Sequence, residues 1–254
     1  MIRMLKVEIE KLFSGKRFYL GILGVILGLQ LTSLGVLRYN LHETVSNLYL
    51  ECSGEAFSIL SFILCVVGGG ISFCIEQKSH STTYIVLRGN TRNYAIGKVV
   101  SAFLGGYLTA FIGFVCGELS LALTLYVQQG NWKGFTSCID QISLDILGNF
   151  VMSLRYGIFS VIALLMSIFI SDLFITMVMP LVIYFAYLNI MGWFAAMPRF
   201  LDITYMINVN YYTDKFVWNQ FFEDMEKAIL FSLYMVYIMS CIIVKKLKWR
   251  VENG

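Results

Sequence analysis

The sequence predicts an all-α, polytopic membrane protein that crosses the bilayer six times. Its 254 residues are 58% hydrophobic and only 14% charged, whereas soluble domains carry about 25% charged residues. Several apolar runs reach the roughly 20 residues that a helix needs to cross a bilayer core of about 30 Å. The long runs and the presence of only two prolines favour helices over a β-barrel, whose segments alternate over about ten residues.

The N-terminal residues 1–17 predict an amphipathic helix that lies in the membrane interface. Apolar residues recur there at helical spacing with charged residues among them: Ile2, Leu5, Ile9, Leu12 and Phe13 alternate with Arg3, Lys6, Glu8, Glu10 and Lys11. A cleavable signal peptide is disfavoured, because the charges continue through the segment and no small-residue cleavage site follows the first apolar run.

The apolar runs place the six spans at residues 18–37, 56–75, 99–127, 154–170, 173–194 and 227–244. Glycines at 68–70 in the second span predict close helix packing or a flexible point, and those at 105, 106, 113 and 117 in the third predict a close-packed face. Pro180 predicts a kink in the fifth span. Residues 195–226 are too long and too apolar for a plain loop, so we expect short re-entrant helices in the outer leaflet.

The distribution of basic residues predicts that both termini lie in the cytoplasm. Thirteen of the 19 Lys and Arg residues fall in residues 1–17, in residues 76–98 and in the C-terminal tail. The other six, Arg155 among them, fall on the opposite predicted side. Short loops rich in Lys and Arg stay on the cytoplasmic side of a membrane.

Residues 76–98 form a polar, basic island between the second and third spans. Four basic residues, Lys78, Arg88, Arg92 and Lys98, stand against Glu76 alone, and an apolar patch occupies residues 84–87. This pattern indicates a cytoplasmic loop that contacts a partner. The alternative is that its basic residues anchor the loop to anionic lipid.

Glu118 is an acid inside a long apolar run, which makes it a candidate for function. It lies twenty residues beyond Lys98, a distance of about 30 Å along a helix. We therefore expect Glu118 near the outer interface, with a role in a substrate path as the alternative. Cys52 and Cys138 fall in predicted outer loops, and sequence alone leaves open whether they form a disulfide.

The chain carries no recognisable catalytic or nucleotide-binding motif. Its two histidines, His42 and His80, lie on opposite predicted sides of the membrane, and no metalloprotease, nucleophile-elbow or phosphate-loop pattern occurs. We therefore expect a protein that is not an enzyme and that binds no metal, cofactor or nucleic acid. If it drives transport with ATP, a separate polypeptide must bind the nucleotide.

The layout resembles the permease subunit of type-2 ABC transporters over essentially the whole chain. In that family an acidic residue ends the second span, followed by a Gly-Thr pair, an apolar stretch, a turn, an Arg and a Lys that opens the third span. Those positions are filled here by Glu76, Thr82 or Thr83, residues 84–87, Gly89, Arg92 and Lys98. The sequence departs from the pattern in having Ser81 or Thr82 where Gly is usual, and Gly89-Asn90 where the turn commonly contains Pro, so the register stays open.

This resemblance implies that residues 76–98 form a coupling helix that docks on cytoplasmic ABC ATPase subunits, which bind ATP and Mg²⁺. The implied coupling residues are Glu76, Thr82, Thr83, Tyr84, Ile85, Leu87, Arg88, Arg92 and Lys98. It also implies a bacterial cell membrane and a second permease, the same chain or a homologous one, because six spans form half of a typical translocation path.

The size and layout also resemble small permeases of peptide-antibiotic self-protection and drug export. This implies export of a hydrophobic or amphipathic substrate such as an antimicrobial peptide. The candidate path residues are Tyr107, Glu118, Tyr184, Tyr187, Asn189 and Trp193, although aromatic residues near span ends also form interfacial belts. Two alternatives stay open: export of a lipid or small drug, and a membrane sensor or scaffold that recognises an antibiotic without moving it.

Overall fold

A computed structural model describes residues 2–37, 45–53, 55–78, 90–129, 132–193 and 218–253, and the regular structure in these ranges is helical. The helices in chain order are α1 (Ile2–Ser14), α2 (Lys16–Leu37), α3 (Val45–Cys52), α4 (Glu55–Gly69), α5 (Ser72–Lys78), α6 (Thr91–Gln129), α7 (Trp132–Phe169), α8 (Leu173–Trp193) and α9 (Trp218–Asn253).

Four of these helices are long and apolar enough to cross a membrane. The qualifying segments are Lys16–Gly35, Thr91–Val127, Asp145–Phe169 and Phe221–Trp249. The α4–α5 pair makes a fifth span if its two bent halves are counted together, and α8 contributes a shorter apolar stretch, Leu173–Tyr187. The described residues therefore form an all-α protein of membrane type with four or five spans, where the sequence analysis predicts six.

The second predicted span, residues 56–75, is broken in the structure. α4 ends at Gly69, Gly70 and Ile71 form a turn, and α5 leaves at an angle of 52° to α4. Glycine is a poor helix former, and the triplet at 68–70 therefore weakens the helix at the point where the bend occurs. The same glycines also pack closely on α6 and α7, so the bend and the close packing occur at the same place.

The central helix α6 packs against α1, α2, α3, α4, α7 and α9. It begins at Thr91, eight residues before the predicted start of the third span at 99. Asn90 caps it: the Asn90 side-chain oxygen accepts a hydrogen bond of 2.9 Å from the backbone N–H of Arg92, as N-cap residues do. The last third of the predicted coupling loop is therefore the first two turns of α6.

Two further helices extend beyond the predicted boundaries. α7 begins at Trp132, although the predicted span begins at 154, and α9 begins at Trp218, so residues 218–226 of the predicted re-entrant segment belong to the last helix. Phe221 and Met225, one turn apart on α9, both pack on the core and continue its apolar stripe. The rest of that predicted segment, residues 195–217, lies outside the described residues.

Glycines bring α4, α6 and α7 into backbone contact along a line that we call the glycine seam (Gly69, Gly70, Gly105 and Gly106). A Cβ atom added at Gly105 would lie 2.7 Å from Gly69 Cα, and one at Gly106 would lie 2.5 Å from Ser160 Cβ. Such distances are too short for carbon atoms at van der Waals contact. Small residues allow this approach between helices in lipid.

One end of the bundle gathers elements from both ends of the chain. Cys74 of α5 lies 3.3 Å from the Ser171 carbonyl oxygen in the α7–α8 turn, and the Lys246 ammonium of α9 lies 5.2 Å from the Phe169 ring centre at the end of α7. α1 packs there on the start of α6. We call this region the basic end, since its residues include Lys11, Lys16, Arg17, Arg92, Lys98, Lys245 and Lys246.

Candidate functional site at the basic end

Lys98 on α6 joins three helices through two short ion pairs. Its ammonium nitrogen lies 2.6 Å from a carboxylate oxygen of Glu8 on α1 and 2.6 Å from one of Glu76 on α5. The Lys98 and Glu8 side chains are each 2% exposed, and that of Glu76 is 17% exposed. The Lys98 ammonium is therefore paired with two carboxylates inside the protein.

Lys11 and Tyr94 complete this arrangement, which we call the ion-pair cluster (Glu8, Lys11, Glu76, Tyr94 and Lys98). Lys11 donates hydrogen bonds to Glu8 at 3.0 Å and to Glu76 at 3.3 Å, and the Tyr94 hydroxyl donates to Glu76 at 2.8 Å. Partial burial lowers the pKa of Lys11, but its hydrogen bond with Glu8 and the negative charge of Glu76 outweigh burial and raise that pKa. Lys11 therefore stays charged at neutral pH.

The ion-pair cluster joins the two helices that flank residues 79–89, α5 before them and α6 after them. Glu76 lies three residues before that segment, and Lys98 lies on the helix that begins after it. Arg92 is exposed on the first turn of α6. The other predicted coupling residues, Thr82, Thr83, Tyr84, Ile85, Leu87 and Arg88, lie outside the described residues. The structure thus brings Glu76 and Lys98 together, and adds the α1 residues Glu8 and Lys11, which sequence reasoning missed.

A cavity of about 500 Å³ adjoins the ion-pair cluster, between the α1–α2 turn and the α4–α5 bend. Its charged lining comprises Glu8, Lys11, Lys16, Arg17, Glu76 and Lys98, and its apolar lining includes Phe18, Val67, Ile71 and Ile75. The Ser72 side chain also lines it, and the Ser72 hydroxyl oxygen is buried with no hydrogen-bond partner among the described residues. The cavity is therefore amphipathic, with a polar side and an apolar side.

Glu118 lies in a buried polar group formed by α3, α6 and α7. It is fully buried, and one carboxylate oxygen accepts a hydrogen bond of 3.2 Å from the Asn149 side-chain amide. The Asn149 oxygen in turn accepts one of 2.8 Å from the Tyr49 hydroxyl. Asp145, one turn before Asn149 on α7, is also buried. The sequence analysis expects Glu118 near the outer interface. In the structure its side chain is buried inside the protein, in a polar group that includes Tyr49 of α3.

A second internal group places a cation among aromatic rings. The Arg155 guanidinium lies 5.6 Å from the ring centres of both Phe62 and Tyr156. Tyr184 of α8 lies 5.1 Å from Phe62 and 5.3 Å from Phe159. Arg155 lies ten residues inside the apolar segment Asp145–Phe169, whereas the sequence analysis counts it among the outer basic residues. The signal that could have located it is the apolar sequence on both sides.

The remaining candidate path residues fall in separate neighbourhoods. Tyr107 packs edge-on against Phe150, at 5.7 Å between ring centres. Tyr187 is half-buried, while Asn189 is exposed and donates a hydrogen bond of 2.8 Å to the Phe185 carbonyl oxygen. Trp193 ends α8, and its side chain lies outside the described residues. Tyr107, Glu118 and Tyr184 therefore contact three different sets of neighbours.

The disulfide that the sequence leaves open, between Cys52 and Cys138, involves residues that the structure describes only in part. Cys52 is buried on α3, and the side chain of Cys138 lies outside the described residues. In the part of the chain that the structure describes, no group of three or more His, Cys, Asp or Glu residues is placed to hold a metal ion. Comparison with known proteins finds no matching family model, no matching curated protein and no matching solved structure.

Proposed function

We propose that this chain is the membrane-spanning permease subunit of an ATP-driven exporter, coupled through residues 76–98 to a separate cytoplasmic ABC ATPase. One observation carries the proposal: the ion-pair cluster joins α5 and α6, which flank residues 79–89, to each other and to α1. An exposed loop needs no such buried fastening to connect two spans, since the desolvation of two carboxylates and a lysine is costly.

The ion-pair cluster gives a force on residues 79–89 two routes into the protein. One route passes through Glu76 into α5 and the bent α4–α5 pair. The other passes through Lys98 into α6, the helix that packs against most of the bundle. Because Lys98 also pairs with Glu8, α1 moves with the other two helices. ATP and Mg²⁺ would bind to the partner ATPase, and the energy of hydrolysis would reach this chain as movement of the loop.

The basic end faces the cytoplasm of a bacterial cell in this proposal. Both terminal helices contribute to it, and cationic segments stay on the cytoplasmic side. The count of six spans includes the bent α4–α5 pair and α8 with its shorter apolar stretch. A second permease, the same chain or a homologous one, completes the translocation path within the bilayer.

The exported substrate in this proposal is hydrophobic or amphipathic, such as an antimicrobial peptide. The predicted path residues Tyr107, Glu118, Tyr184, Tyr187, Asn189 and Trp193 are joined by Arg155, because an ionisable group inside a membrane span is costly and is therefore a functional candidate by default. Aromatic rings around Arg155 offer apolar contact area, and its guanidinium adds a fixed positive charge.

A crosslinking experiment tests the coupling. A photoreactive amino acid at position 85 of the affinity-tagged chain should crosslink to a subunit that binds ATP, and the purified complex should hydrolyse Mg-ATP. Changing Tyr84, Ile85 and Leu87 to Ser should abolish both the association and the hydrolysis. The matched control changes Val7 and Phe13, two exposed apolar residues of α1, to Ser and should retain both.

A second measurement separates export from sensing. Resistance of cells to the substrate should disappear when the catalytic residues of the crosslinked ATPase are inactivated. Resistance that survives an inactive ATPase would contradict the export proposal and favour a membrane sensor. A purified complex with no nucleotide hydrolysis would contradict it as well.

A further inference from the structure

We propose that the cavity at the basic end binds the phosphate-bearing headgroup of an anionic phospholipid. This inference concerns a different ligand from the exported substrate, and it does not depend on the proposed ATPase coupling. It rests on three features of the cavity: its excess of positive charge, an unused hydrogen-bond donor in its wall and its apolar side.

Positive charge exceeds negative charge in the cavity lining. Lys11 and Lys98 are matched by the carboxylates of Glu8 and Glu76, which lie within 3.3 Å of the lysine nitrogens. Lys16 and Arg17 also line the cavity, are exposed, and form no ion pair with any residue that the structure describes. A phosphodiester carries the complementary negative charge, and Arg in particular matches the geometry of phosphate oxygens.

Ser72 supplies a donor that the protein itself does not use. Ser72 lines the cavity, and its hydroxyl oxygen is buried with no hydrogen-bond partner within the described ranges. Leaving a buried hydroxyl without a partner costs free energy. A phosphate or glycerol oxygen in the cavity would accept this hydrogen bond once the Ser72 side chain rotates toward it.

The apolar side of the cavity distinguishes a lipid from free phosphate. Phe18, Val67, Ile71 and Ile75 form that side. They lie at the start of α2 and around the α4–α5 bend. Free phosphate gains nothing from contact with apolar side chains, whereas the glycerol and upper acyl carbons of a lipid pack against them. The amphipathic helix α1 borders the same cavity through Glu8, Lys11 and Leu12. Because amphipathic helices lie in the membrane interface, we infer that the cavity lies at the depth of the lipid headgroups.

The test compares lipids of different headgroup charge by native mass spectrometry and by thermal unfolding in nanodiscs. The wild-type chain should retain phosphatidylglycerol in preference to phosphatidylcholine. The double variant Lys16→Gln/Arg17→Gln should bind phosphatidylglycerol about 30-fold more weakly, with its Tm in pure phosphatidylcholine unchanged. The control variant Lys245→Gln/Lys248→Gln removes the same charge from the C-terminal part of α9 and should bind as the wild type does.

A third variant separates the site from general surface charge. Ser72→Ala alters no charge and removes a hydroxyl that has no internal partner, so it should weaken phosphatidylglycerol binding about fivefold without lowering the Tm in phosphatidylcholine. The proposal is overturned if the wild type shows no preference between the two lipids. It is equally overturned if the two double variants lose binding alike, or if millimolar inorganic phosphate raises the Tm as much as phosphatidylglycerol does.

Discussion

Lys98 and Glu76 stand at opposite ends of the predicted coupling loop, and their charged atoms lie 2.6 Å apart. The pair joins α5 to α6, the two helices that flank residues 79–89. Glu8 shares the same ammonium at 2.6 Å. The predicted interfacial helix α1 is therefore ion-paired with α6, which continues from the loop proposed to dock on the ATPase.

Replacing Lys98 with Met should strongly destabilise the protein. The change leaves the buried Glu8 carboxylate with Lys11 as its only remaining cationic partner in the ion-pair cluster, and removal of one partner from a buried ion pair costs about 3 kcal/mol or more. The measurement is the thermal unfolding of the detergent-purified protein. Lys6→Met is the control, since its pair with Glu10 is exposed on both sides; equal Tm values for the two variants would contradict the buried pairing.

Gly106→Ala should destabilise the glycine seam. Its methyl group would lie 2.5 Å from Ser160 Cβ and 2.8 Å from the Tyr156 carbonyl oxygen, and overpacking of this kind costs about 1–3 kcal/mol. The control is Gly35→Ala, where no atom lies within 4 Å of the added carbon. Thermal unfolding should show a lower Tm for the first variant alone, and adding Ser160→Gly should restore part of the loss.

Asn149 should contribute more to stability than either hydrogen bond alone suggests. Asn149→Ala leaves the buried Glu118 carboxylate without its 3.2 Å donor and the Tyr49 hydroxyl without its 2.8 Å acceptor. We expect a loss of about 2 kcal/mol, against about 1 kcal/mol for Tyr49→Phe. The double variant should lose less than the sum of the two, because both changes remove the same bond; strict additivity would contradict the connection.

Arg155 should be required for transport but not for folding. Arg155→Gln removes the charge that lies over Phe62 and Tyr156, and we expect loss of resistance with little loss of folded protein. Arg155→Lys keeps the charge without the planar face that stacks on rings, so partial resistance should remain. Full resistance with Arg155→Gln, measured at equal membrane abundance, would remove Arg155 from the proposed path.

The all-α class follows directly from the sequence because the apolar runs are long and uninterrupted. The helix ends are harder to predict, because polar residues favour loops although α7 and α9 continue through them. Asn90 did carry a usable signal, because an Asn just before a helical stretch is a common N-cap.

The ion-pair partners of Lys98 cannot be predicted from sequence periodicity. Glu8 lies 90 positions away, and the two meet only after α1 has folded back on α6. The same holds for Arg155, whose surroundings come from α4 and α7. Local periodicity reports which face of a helix is apolar, whereas these contacts depend on which faces finally meet.

The glycine seam limits how the molecule can change shape. Turning α4, α6 or α7 about its own axis would drive a side chain into a neighbouring backbone, so the three helices must travel as one block. The movement that the proposed transport cycle requires would then involve the peripheral helices, above all α9, of whose segment Phe221–Trp249 only 28% is buried, against 78% for Asp145–Phe169 of α7. A change of shape would accordingly displace α4, α6 and α7 together, relative to the helices around them.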